Sequence, residues 1–214
     1  EDMATVLGKK KDVKKYGQKA EALKKAINDN FWVEEDGYYA SYLYGRQNLT
    51  RTQQSETLGE SFCVLFGIAD EERAAKVISS MPVGEFGPPI FSPQIVSQPD
   101  YHNNGVWPYV TSFWGKAAAK VGNETALMHA LACNVRTASI YATNYENYSF
   151  NTGNPYTTQI NSPNMLWGLS GFMGLFHRTF FGLEFTKEGL ALKPFVPTVL
   201  AGTRKLEAFP YRGM

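Results

Sequence analysis

The sequence has 214 residues, with 21 Lys plus Arg set against 20 Asp plus Glu, and an aromatic fraction of 14%. That length suits one large domain or part of a bigger one, and the near-neutral balance argues against a nucleic-acid binder, which carries a basic excess. No run of about 18 apolar residues occurs, so no membrane span is expected, and no signal peptide is visible.

Glu1 to Lys11 shows no clear period. From Asp12 to Phe31, Val13, Tyr16, Ala20, Leu23, Ala26 and Ile27 recur at helical spacing, with lysines between them on a solvated face. Asp36-Gly37 is a turn signal, and Tyr38 to Tyr44 alternates like a strand. Ser55 offers a cap for a second helix, Glu56 to Ile68, which carries little charge. Asp70 caps a third, charged helix, Glu71 to Met81. A long loop rich in Gly, Pro and aromatics, Val83 to Asn104, leads into Gly105-Val106-Trp107-Pro108. A fourth helix follows to Val121, with an Ala117-Ala118-Ala119 patch suited to close helix contact, and Gly122 stops it. Asn123 caps a fifth helix, Glu124 to Ala142. The sixth, about Pro163 to Phe181, is almost devoid of charge. After Gly182 the pattern turns to short strands at Leu183–Thr186, Gly189–Leu192 and Arg204–Phe209, with turns at Lys187-Glu188-Gly189 and around Pro194 and Pro197.

Charged helices thus alternate with nearly uncharged ones. Links from uncharged to charged helix are tight, and links from charged to uncharged helix are long and aromatic. An α/α toroid needs this alternation, since its inner helices are enclosed and its outer helices keep one wet face. The long loops then gather at one end, where function resides. The expected fold is mainly α: three helical hairpins over residues 1–182 as the C-terminal half of an (α/α)6 toroid, then a β appendage over 183–214. The other half of the ring is expected ahead of Glu1. The open seam is a candidate surface for self-association.

The loop Asn144-Tyr145-Glu146-Asn147-Tyr148-Ser149-Phe150 sets one acid among aromatics and amides. A carboxylate so placed suits a sugar-handling site, with Tyr145, Tyr148, Phe150 and Tyr156 as stacking platforms or as loop packing. Trp107 and Trp167 sit where inner helices begin, as core or as contact. His102-Asn103-Asn104 offers hydrogen bonds to hydroxyls or a structural turn. His102 has no second His or Cys at ligand spacing, so no metal is expected, and no cofactor is implied. His129 and His177 read as structural. Glu56 and Glu60 complement a helix N-terminus, or bind a hydroxyl. Asp36 and Asp100 read as turn formers. Cys63 and Cys133 lie in predicted helices and read as buried free thiols rather than a disulfide. The sequons at Asn48, Asn123 and Asn147 carry no weight for compartment.

Gly105-Val106-Trp107-Pro108, Tyr145-Glu146-Asn147-Tyr148 with Thr152-Gly153, and Leu166-Trp167-Gly168-Leu169-Ser170 together resemble the six-hairpin glycosidases. The chain resembles glycogen-debranching-related and mannosylglycerate-hydrolase-like (α/α)6 proteins, and is akin to α-glucosidase I and trehalase. The closing run from Phe181-Gly182-Leu183-Glu184-Phe185 to Phe209-Pro210-Tyr211-Arg212 is like that of bacterial members. The order Trp167-Gly168 differs from the Gly-Trp-Ser of trehalase-like relatives.

The resemblance implies an inverting glycoside hydrolase acting on an α-linked carbohydrate, with Glu146 as the general base. It places Trp107, His102, Asn104, Tyr145, Tyr148 and Trp167 among the substrate contacts. The general acid falls in the absent half, so this piece alone is expected to be inactive. A periplasmic or extracytoplasmic setting is implied by the same kinship. The alternative is a carbohydrate-binding or structural α/α domain that kept the fold and lost the chemistry.

Overall fold

The computed structural model describes residues 1–186 and 188–210. The expected turn residue Lys187 and the closing residues Tyr211 to Met214 lie outside the described residues. The fold is mainly α, with small two-stranded antiparallel sheets between the helices.

A short helix α1 (Asp2–Val6) opens the chain where no period was visible. It is followed by α2 (Lys10–Asn30). The amphipathic stripe of α2 is mostly uncovered within this chain: Tyr16 is 47% and Leu23 61% exposed, and Ile27 is its contact with the core. The hairpin β1 (Trp32–Val33) to β2 (Tyr38–Tyr39) turns at Gly37, whose φ of +71° suits glycine. β3 (Leu43–Tyr44) pairs with β4 (Thr50–Arg51), so the expected strand from Tyr38 to Tyr44 divides between two hairpins.

β5 (Ser55–Glu56) leads into α3 (Thr57–Leu65). Glu56, not Ser55, caps this helix: its Oε1 accepts from Leu58 N (3.0 Å) and its Oε2 from Gly59 N (2.6 Å). Ser55 is unavailable because it is buried in β5, opposite Ser92 of β6 (Phe91–Ser92). α4 (Glu71–Ser80) begins at the expected cap, where Asp70 Oδ1 accepts from Arg73 N at 2.8 Å.

β7 (Gly105–Val106) runs into α5 (Pro108–Lys120). α6 (Glu124–Tyr141) starts at Asn123, whose side chain accepts from Ala126 N at 2.9 Å. β8 (Tyr148–Ser149) pairs with β7. α7 (Leu166–Leu175) starts later than Pro163, because Asn164 takes a left-handed turn (φ +57°) and bonds Thr143 Oγ1 at 2.7 Å. It ends in a π-helical turn, Phe176–Phe180. β9 (Leu183–Phe185) pairs with β10 (Leu190–Leu192). The third expected strand, Arg204–Phe209, does not form, because no partner strand lies beside it among the described residues.

α5 is the centre of the molecule and packs against α3, α6 and α7. The alanine patch does what its size allows: Ala117 and Ala118 are fully buried. A Cβ on Gly115 would lie 2.8 Å from the Ala130 Cβ, so this glycine sets how closely α5 and α6 approach. Trp114, Leu127, Val64, Val77 and Leu175 fill the same core. Cys63 and Cys133 are buried free thiols, each pushed up to about 12 by burial. No helix among the described residues is long and apolar enough to cross a membrane.

Candidate active site

The segments that lead into α3, α5 and α7 are laced together at one end of the helices. β5 pairs with β6, Thr57 N donates to Ile90 O (2.9 Å), and Ile90 N donates to Gly105 O (2.8 Å). β7 pairs with β8, and Phe150 N donates to Asn104 O at 2.8 Å. Short strands rather than long sheets thus hold the long loops in register, and backbone polar groups there find partners.

Asp100 is the side chain that fastens two of these loops. Its Oδ1 accepts from Asn104 Nδ2 (2.8 Å) and its Oδ2 from Ser149 Oγ (2.7 Å). It is more than the turn former expected, since it joins residues 49 apart in sequence. Asn104 sits in the left-handed region (φ +51°) with its amide committed to Asp100.

An aromatic wall stands at this loop-bearing end, the mouth of the helix row. The Trp107 ring is buried, and its Nε1 donates to Tyr101 O at 3.0 Å. His102 is exposed and stacks on Trp107, with ring centroids 5.0 Å apart at 24°. Trp167, 39% exposed, meets Trp107 edge-on at 5.5 Å and lies flat against Tyr109 at 5.2 Å and 18°. Tyr109 was not singled out from the sequence. Its place in the first turn of a helix that opens on the aromatic loops was the available signal.

Glu146 sits beside this wall. Its N–H donates to Ser162 O at 3.0 Å, which fixes the backbone there. It does not cap α7, whose cap residue is Met165, and among the described residues it forms no ion pair with an arginine. Burial pushes its carboxyl above the ordinary range, and the His102 imidazole opposes that shift. The phenol of Tyr101 is raised by burial and by the Glu146 charge, which sets Tyr101 on the same side.

The remaining expected contacts divide by depth. Tyr145 is half-buried, and its hydroxyl bonds that of Tyr156 at 3.1 Å. Tyr148 is fully buried and its oxygen accepts from Tyr145 N at 3.2 Å, so its ring supports the loop from beneath and offers no face to a ligand. Asn147 is also buried and donates to Ile160 O at 3.0 Å, which makes its sequon a loop staple. His102, Trp167 and Tyr145 therefore reach solvent, while Trp107 and Tyr148 hold them up.

Glu56 borders the mouth from the α3 side. Burial raises its carboxyl, its two backbone hydrogen bonds lower it, and His102 lowers it further. Both Glu56 oxygens are taken by the α3 cap.

Residues 1–168 match a family model described as the mannosylglycerate hydrolase MGH1-like glycoside hydrolase domain. The matched stretch includes His102, Trp107, Glu146 and Trp167. Comparison with curated proteins finds no match.

Proposed function

The chain belongs to the mannosylglycerate hydrolase MGH1-like glycoside hydrolase family, and on that premise we propose that Glu146 is the general base of an inverting hydrolysis of an α-linked glycoside. The carrying observation is the setting of Glu146: a half-buried carboxylate, free of structural duties, beside an imidazole and an aromatic wall. An inverting base must be ionised and must hold a water. His102 favours the ionised form, and Trp167 with Tyr145 offers apolar faces to the C–H face of a sugar ring. An α-mannoside such as mannosylglycerate is the first substrate class to try.

The general acid comes from outside the described residues. Inversion needs a second carboxyl about 6.5–9.5 Å from the base. Glu56 is poorly suited, since the helix cap holds both its oxygens. The chain is then one part of a larger (α/α)6 ring, in which α3, α5 and α7 are inner helices and β9–β10 open an appendage. Supporting this are the uncovered apolar faces at the two ends of the helix row. Phe66 on the α3 side is 72% exposed, and Leu166 and Met173 on the α7 side are 76% and 43% exposed. On this reading the described chain is inactive alone.

The test is hydrolysis of α-linked disaccharides and mannosylglycerate by the polypeptide that carries this chain, followed by proton NMR of the first product. The β-anomer is expected first. First release of the α-anomer excludes an inverting base at Glu146. Sugar binding without turnover favours the non-catalytic alternative.

A further inference from the structure

At the opposite end of the helices, the C-terminal parts of α3, α5 and α7 border a cavity of about 540 Å3. Its walls carry Lys116, Lys120, Arg178 and Lys193, with Glu184 as the acid among them. Glu184 is engaged by Lys193 at 2.8 Å. Lys120 donates to Val64 O (3.0 Å) and Leu65 O (2.9 Å), closing the last turn of α3. Cations at helix C-termini satisfy carbonyls and complement the macrodipole, and Lys120 is accounted for in that way.

Lys116 and Arg178 are not. Lys116 is half-buried with its Nζ over the Phe113 ring, 5.1 Å from the centroid. The Arg178 guanidinium lies over Phe185 at 4.6 Å. Neither forms an ion pair among the described residues. Burial, and then the Arg178 charge, hold the Lys116 ammonium below the usual lysine range. Two cations held on one cavity wall, one of them half out of water, repel each other until an anion lies between them.

We propose that this cavity binds a small oxyanion, phosphate or carboxylate in chemistry, gripped by the Lys116 ammonium and the Arg178 guanidinium. The planar fork of arginine matches two oxygens of such an anion, and lysine supplies a point charge from a second direction. Each cation also rests on an aromatic ring, Lys116 on Phe113 and Arg178 on Phe185. The site lies at the other end of the helices from Glu146, so it stands or falls apart from the glycosidase reading.

The polypeptide that carries this chain is titrated with inorganic phosphate in one arm and malonate in another. Ionic strength is held constant with chloride, and calorimetry and thermal melting are the readouts. Saturable binding is expected, weakened by roughly tenfold or more in Lys116→Met, which keeps the stem over Phe113, and in Arg178→Gln. Lys25→Met, on α2 and paired there with Asp29 rather than lining the cavity, leaves it unchanged. Tighter phosphate marks a phosphate ligand and tighter malonate a carboxylate. Absence of saturable binding by the wild-type chain in both arms overturns the proposal, as does equal binding by the wild-type chain and the two cavity variants.

Discussion

The first turn of α3 and the loop ahead of α7 each hold a glutamate that burial pushes above the ordinary carboxylate range. Glu60 is 1% exposed; Tyr39 N donates to its Oε1 at 2.6 Å, and its Oε2 has no partner. Its charged neighbour is another acid, Glu56, which adds to the upward shift. Glu146 is half-buried, and the nearby His102 imidazole opposes its upward shift. Both acids lie near the beginning of an uncharged helix, and both shift in the same direction. What separates them is access and the neighbour that acts on each: Glu56 raises the one and His102 lowers the other. Burial disfavours the charged form of Glu60, which props the β2–α3 contact, whereas Glu146 lies partly open beside the aromatic wall. The sugar-hydroxyl role open to Glu60 from sequence alone finds no exposed carboxylate oxygen: the residue is 1% exposed.

The comparison can be broken most strongly on the Glu146 side. Asp100→Ala removes two charge-assisted hydrogen bonds that fasten the mouth loops. A loss of about 3 kcal/mol in urea unfolding is expected. In hydrogen exchange the amide of Phe150 should lose protection while that of Tyr39, bonded to Glu60, keeps it. Equal loss at both amides would mean that the two regions are not independent.

A smaller effect sharpens the Glu60 side. Its folded pKa is raised well above 4.5, so between 4.5 and that raised value the folded chain binds more protons than the unfolded one. Stability contributed by the neutral carboxyl is therefore full at low pH and is lost as pH rises through this window. Glu60→Gln keeps an acceptor for Tyr39 N and has no charge to bury. Its stability should fall less steeply with pH than that of the wild-type chain, as read by urea midpoints between about pH 5 and 8. An unchanged slope would assign the pH dependence to other groups.

Apart from α1, the order of the helices and most caps were legible in the sequence, because Asp70, Asn123 and Gly122 announce themselves locally and the apolar period of α2 and α4 is strong. The cap at Glu56 was not, since it depends on Ser55 being drawn into a strand with Ser92, a residue 37 positions away. The strand expected at Arg204–Phe209 failed for the same kind of reason: alternation gives a face, and only a neighbour gives a strand. At the mouth, the motif that drew attention to Glu146 also named Tyr148, yet depth within a loop is not written in residue type. Tyr145 and Tyr148 are three positions apart, and one is half-exposed while the other is sealed. Asp100 was underrated because its partners Asn104 and Ser149 lie in different loops.

The account rests on Glu146 as the base. The direct measurement is turnover of an α-linked glycoside by the polypeptide carrying this chain, compared between wild type and Glu146→Gln. A fall in kcat of about 10²–10⁴-fold is expected, with the urea midpoint unchanged because no structural hydrogen bond to the carboxylate is lost. Activity within about twofold of wild type, well short of what loss of a general base costs, would contradict the assignment and return Glu146 to the loop scaffold.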